Sequence, residues 1–259
     1  MGDRHPFELV GMVHLPPLPG SPRAEMGIDA IVERALADVS AMVRGGLTSV
    51  LLENFGDVPF AKGSVDPHVP AILAVIGARA RLAHPHLAIG LNVLRNDPRA
   101  ALGAALACGA TFIRVNVHTG ATWTDQGLIE GDAYGTLRYR QALGASGIRI
   151  AADVDVKHGT PAGRADISEL ARDTRERGLA DILIVTGART GEPPDREDVR
   201  RVRAAGGAPV WLGSGVTPER LPDLRRHADG AIVGTWLHRD GRIDQPIDPE
   251  RVKALTAIL

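Results

Sequence analysis

Pro209-Val210-Trp211-Leu212-Gly213-Ser214-Gly215-Val216-Thr217-Pro218-Glu219, followed by Asp229-Gly230-Ala231-Ile232-Val233-Gly234-Thr235, is the stretch that decides the fold. Each half is a short apolar strand that breaks off in glycine and a hydroxyl residue. A strand, a glycine turn and a helix start expose backbone N–H groups with no partner of their own. Gly213 and Gly215 would let the main chain approach an anion closely, since no Cβ intervenes. Thr217 is expected to cap a short helix, with Pro218 at its first position. Two such turns about twenty residues apart are what the last two strands of a (β/α)8 barrel offer to a phosphate. The plainer alternative is a pair of ordinary strand–helix turns that need glycine for geometry alone.

Working outward, the chain alternates strand and helix. Strands are expected at 8–14, 49–54, 87–92, 111–117, 148–154 and 181–186, and the opening stretch supplies the last two. Helical spacing marks the segments between them. Ile28, Ile31, Val32, Ala35, Val39, Met42 and Val43 recur with a helical period before Gly45-Gly46. Further helices are expected over 69–82, through the alanine-rich run that ends in Cys108, before Gly147, around Ile167, Leu170, Ala171 and Thr174, and over 194–205 and 249–259. The segments 55–67 and 118–131 read as long loops. Near-continuous apolar strands imply burial on both faces, hence a parallel sheet covered by helices. Eight strand–helix units in about 250 residues fit a closed barrel better than an open sheet. The fold class expected is therefore α/β, a phosphate-binding (β/α)8 TIM barrel forming a single domain over 1–259.

Composition narrows the function. Thirty Lys and Arg stand against 31 Asp and Glu, a formal charge of -1, so no basic field exists for a nucleic acid. Aromatics are 3% of the chain, which makes the core aliphatic and leaves no base-stacking surface. The single cysteine, Cys108, excludes an internal disulfide and reads as a small buried residue. No apolar run spans a bilayer and no signal segment is seen, so a cytoplasmic location is expected. A homo-oligomer is expected as well.

Polar side chains gather at the carboxyl ends of the expected strands, which in a barrel meet around one mouth. His14 ends the first; Glu53 and Asn54 end the second; Asn92 ends the third; Arg114 and Asn116 close the fourth; Thr186 ends the sixth. Asp153, Asp155 and Lys157 alternate across the end of the fifth, and a period of two puts them on one face. Taken singly, Asn and Asp also start turns or cap helices. As a set they read as a site. Glu53, Asp155, Asp153 and Lys157 are the candidate catalytic groups. Lys157 would hold Asp155 ionised as a base, leaving Glu53 as the acid across the mouth. His14, Asn54, Asn92, Arg114, Asn116 and Thr186 are candidate substrate contacts, and His118 is a further candidate for the mouth. Gly213, Ser214, Gly215, Gly234 and Thr235 are the candidate phosphate cradle. No organic cofactor is expected. A divalent metal on His14, Glu53, Asp153 and Asp155 is the open alternative, although no ligand-spacing motif supports it.

Several of these segments, among them Gly11-Met12-Val13-His14-Leu15-Pro16-Pro17-Leu18-Pro19-Gly20, Glu53-Asn54-Phe55-Gly56-Asp57-Val58-Pro59-Phe60 and Phe112-Ile113-Arg114-Val115-Asn116-Val117-His118, closely resemble the BtpA/SgcQ family. So do Thr124-Asp125-Gln126-Gly127, Ala152-Asp153-Val154-Asp155-Val156-Lys157-His158, Val185-Thr186-Gly187 and Gly213-Ser214-Gly215-Val216. The resemblance covers practically the whole chain. It implies a phosphate-binding barrel akin to those of tryptophan and histidine biosynthesis. The family name comes from a role in photosystem I accumulation, yet members occur in organisms without photosynthesis. Two functions follow as expectations: an isomerase or lyase acting on a small phosphorylated metabolite, or a non-catalytic assembly or regulatory factor.

Overall fold

The computed structural model describes residues 7–156, 159–163, 166–187 and 192–259. Lys157 lies outside the described residues. Eight parallel strands close a barrel: β1 (Glu8–His14), β2 (Ser49–Glu53), β3 (Ala88–Asn92), β4 (Phe112–Val115), β7 (Arg149–Asp155), β9 (Ile182–Val185), β10 (Val210–Leu212) and β11 (Gly230–Val233), with β11 pairing back onto β1. The helices between them are α1 (Ile28–Arg44), α2 (His68–Ala83), α3 (Pro98–Cys108), α4 (Ala133–Ala142), α5 (Ile167–Arg172), α6 (Arg196–Gly206), the single turn α7 (Leu221–Leu224) and α8 (Pro249–Thr256).

The strands alternate between two apolar environments, as a period of two requires. Leu9, Val13, Val50, Leu52, Ile113, Ile150, Leu183, Val210 and Ala231 pack outward under the helices. Val10, Met12, Leu51, Phe112, Ala151, Ile182, Ile184, Trp211 and Ile232 fill the barrel interior. Phe112 and Trp211 meet there edge to face, with centroids 5.5 Å apart and planes at 87°. Such a contact adds about 0.5–1.5 kcal/mol to the area it buries. Gly90 on β3 makes room for it, because a Cβ there would overlap the Phe112 ring.

Caps follow the sequence signals. Asp97 accepts from the Ala100 N–H at 2.9 Å, with Pro98 opening α3, and Asp248 caps α8 before Pro249 in the same way. Asp97 also takes the Val65 N–H at 3.0 Å, tying the segment after β2 to the one after β3. Cys108 is buried against Gly77 of α2, and burial pushes its thiol pKa up.

Two segments differ from the sequence reading. The expected loop after β4 forms a hairpin, β5 (Ala121–Thr124) and β6 (Gly127–Glu130), which with the short β8 (Thr160–Pro161) makes a three-stranded antiparallel sheet. It forms because Ile129 can pack on Val117 and Val156, while Thr124 Oγ1 donates to the Gly127 carbonyl at 3.0 Å and closes the turn. The fifth expected helix ends in a π-helical turn, Asp173–Arg177, where Gly178 N–H reaches back to Asp173 at 2.8 Å. No described helix is long and apolar enough to cross a membrane.

Candidate functional site

In-register pairing sets the first part of the mouth. His14 lies opposite Glu53, and Glu53 opposite Asn92, on three neighbouring strands. Asn92 Nδ2 donates to Glu53 Oε2 at 2.6 Å, fixing the carboxylate. One strand further on, Arg114 sends Nε and Nη2 to the two oxygens of Asp153 at 3.1 and 3.0 Å. Asn116 adds a third donor to Asp153 at 3.0 Å, and its own Oδ1 is buried with no partner among the described residues. Burial alone would lower the Arg114 guanidinium, but the Asp153 and Glu53 carboxylates, with the Asp153 hydrogen bonds, hold its pKa above the ordinary value. The pair is buried yet satisfied, as a charge in such a place must be.

A cavity of about 290 Å³ opens against this network. His14, Glu53, Phe55 and Arg114 line one side; the turn from Gly213 to Thr217 and the turn from Gly234 to Trp236 line the other. The structure therefore brings the expected cradle and part of the expected polar set to one place. The glycines also make room for neighbouring segments of the protein. Gly215 has φ +71, and a Cβ on it would overlap the Pro193 main chain. A Cβ on Gly213 would strike the Thr186 methyl, and one on Gly234 would lie 2.7 Å from His14 Cε1. Ser214 Oγ is engaged too: it accepts from Gly187 N–H at 3.0 Å and donates to the Glu192 carbonyl at 2.6 Å. Thr217 does not cap an α-helix at Pro218. Its carbonyl receives the Arg220 and Leu221 N–H groups, and α7 begins only at Leu221. Thr235 opens a 3-10 turn, Thr235–Leu237.

Asp155 goes elsewhere. A register shift between Asp153 and Asp155 puts Asp153 opposite Ile184 but Asp155 opposite Val185, so the two carboxylates no longer share a face. Asp153 points into the barrel, whereas Asp155 lines a separate cavity with Thr160, Thr186, Glu192, Asp195 and Asp198. Burial raises its pKa, and Asp153 and Asp198 add to the effect. The expectation of Asp155 facing Glu53 across one mouth is thereby corrected. Thr186 donates to the Asp155 carbonyl at 2.9 Å. Asn54 acts as a strut, accepting Leu94 N–H at 2.7 Å and donating to Asp57 at 3.0 Å. His118 sits away from this cavity, with Nε2 2.7 Å from the Gly178 carbonyl, and burial lowers its pKa. Among the described residues no three His, Cys, Asp or Glu side chains converge to hold a metal ion, so His14, Glu53, Asp153 and Asp155 do not form a ligand set.

The family model described as the BtpA family matches residues 6–259. The chain belongs to the BtpA family. It is 45% identical over 249 residues to a Synechocystis protein named photosystem I biogenesis protein BtpA, covering 95% of this chain and 85% of that one. Two solved structures share the fold at low identity. A 3-hexulose-6-phosphate synthase aligns with a TM-score of 0.63 at 14% identity, over 98% of this chain and 100% of the other. A phosphoribosyl anthranilate isomerase from Thermus thermophilus aligns with a TM-score of 0.58 at 14% identity, over 97% and 98%. The BtpA-family chain thus shares the (β/α)8 barrel fold with these two proteins.

Three residues of this BtpA-family mouth escaped the sequence reading. Arg95, in the segment after β3, is buried; burial lowers its guanidinium against the pull of Asp153, Asp125 and Glu53. A lone arginine amid Val93, Leu94 and the following polar residues was the available signal. Phe55 packs on the His14 ring at 4.7 Å. His238, 1% exposed, lies with Nε2 3.5 Å from His14 Nδ1 and the two rings stacked at 5.7 Å. It follows a 3-10 turn and bridges to Ile247, a setting with no periodic pattern to betray it.

Proposed function

We propose that this BtpA-family barrel is an enzyme of the isomerase or lyase type, moving protons on a small phosphorylated sugar or related metabolite. The observation that carries the reading is the single cavity in which Glu53, His14 and Arg114 face the two glycine turns after β10 and β11. Those turns offer the backbone for an anionic end group. The volume, about 290 Å³, suits a small metabolite, since drug-sized ligands fill roughly 300–1,000 Å³. Glu53 is held by Asn92 in the field of Arg114 and serves as base. It takes a proton from carbon beside a carbonyl; the electrons of that C–H bond pass to the carbonyl oxygen. His14, opposite Glu53 on the adjacent strand, takes a proton from a neighbouring hydroxyl of the ligand and hands it to that oxygen. Asp153 and Asn116 keep Arg114 in place. Asp155 lines the neighbouring cavity and is not needed in this scheme.

The test is a panel of phosphorylated and unphosphorylated metabolites screened for thermal stabilisation, followed by NMR in D2O on the ligands that stabilise. A phosphorylated ligand should exchange one carbon-bound proton for deuterium. Glu53→Gln should slow that exchange about a hundredfold or more while the stabilisation persists. The name carried by the Synechocystis relative favours a second reading, an assembly factor that uses the barrel as a scaffold. Ligand binding with no exchange in the unaltered protein would select it.

A further inference from the structure

We propose that His238 is a positioning residue that fixes the tautomer of His14, so that the ring meets the cavity with Nε2 as its basic nitrogen. The inference rests on the acid–base reading of the cavity for its purpose, though not for its geometry. His238 is buried and its Nδ1 lies 2.6 Å from the Gln245 carbonyl. A carbonyl only accepts, so the proton of this ring sits on Nδ1. Burial keeps the ring neutral, against the opposing pull of Asp38, and Arg34 and Asp244 are the other charges that it feels. Its Nε2 is therefore a lone pair, and that atom faces His14 Nδ1 at 3.5 Å, the long end of hydrogen-bond range.

That lone pair accepts a hydrogen bond from His14 Nδ1. In neutral imidazole the other nitrogen is then the acceptor. Cε1 and Nε2 are the His14 atoms nearest the place a Gly234 Cβ would take, and the Gly234 turn lines the cavity beside them. A proton taken from a ligand enters at Nε2 and returns from Nε2. Meanwhile the Nδ1 proton stays on His14, held toward His238 Nε2, and the carbonyl of Gln245 anchors the line. Phe55 against the same ring limits its rotation. Asp38, which accepts Ile247 N–H at 3.1 Å, holds the segment opposite His238 in place.

The experiment needs no substrate. Long-range proton–nitrogen spectra of the 15N-labelled protein at neutral pH report which ring nitrogen carries the proton, with His14→Gln and His238→Gln assigning the signals. Both His14 and His238 should show the Nδ1–H pattern. In His238→Phe the acceptor is gone, and the two nitrogen shifts of His14 should exchange toward the Nε2–H pattern. In His238→Gln a side-chain oxygen stands near the former Nε2, and His14 should keep Nδ1–H. An Nε2–H pattern for His14 in the unaltered protein overturns the proposal, as does an unchanged His14 in folded His238→Phe. Should His238→Phe not fold, the unaltered spectrum and His238→Gln still decide it. A metabolite screen that finds no ligand would sink the enzyme reading and leave these spectra untouched.

Discussion

Asp153→Ala and Arg114→Met delete opposite halves of one buried pair, and the surroundings make the two losses unequal. The Arg114 and Asp153 side chains are 6% and 0% exposed, so neither survivor is rescued by water. Removing one partner of such a pair costs about 3–5 kcal/mol. After Asp153→Ala, Arg114 still feels Glu53, which puts the loss near the lower end, about 3 kcal/mol. After Arg114→Met, Asp153 and Glu53 share a site without the guanidinium that balanced both. Arg95 offsets part of this, and the loss should lie nearer the upper end, about 4–5 kcal/mol at neutral pH. The sign with pH follows from linkage. In Arg114→Met a folded-state carboxyl is raised above its unfolded value, so the folded form binds the extra proton and recovers stability as pH falls. Urea unfolding at pH about 7.5 and about 5.5 measures both effects. Losses that are equal in the two variants and independent of pH, or below about 1 kcal/mol, would refute the reasoning, since exposed pairs behave that way.

Gly215→Ala should destabilise the protein by at least about 1–2 kcal/mol, the cost of a left-handed residue with a side chain, and more from the overlap with Pro193. An unchanged melting temperature would show that the turn is not held as described. Burial lowers the pKa of His118, so protonation favours the unfolded chain: stability should fall as pH drops through about 6.5 and level off below the folded value. His118→Gln, which can keep a donor toward Gly178, should flatten that slope; the same slope in the variant would assign it to other groups.

What the sequence displayed was periodic. The first strand runs over Glu8–His14 as expected, because its apolar residues alternate between the helices and the barrel interior without interruption. The polar strand ends were legible for the same reason: Glu53, Asn92 and Arg114 continue the inward face of their strands. The reading failed wherever that period broke. A single extra residue between Asp153 and Asp155 reverses the face of everything after it, and no residue type announces a bulge there. That Gly215 packs on Pro193, and that Ser214 bonds to Gly187 and Glu192, was not legible either, because these partners come from another strand's loop. His238 belongs to the site through a fold-back of the chain after β11, which only tertiary packing specifies.

The aromatic pair inside the barrel has a consequence for traffic. Phe112 and Trp211, with Met12 and Ile232 above them, seal the interior with apolar side chains, and Met12 and Ile232 are also the bottom of the cavity. That end of the cavity is therefore a closed floor. With the floor shut, a molecule held against Phe55 and Trp236 has to clear the mouth before the next can take its place. An occupant that lingers there would throttle throughput even if every chemical step beneath it were fast.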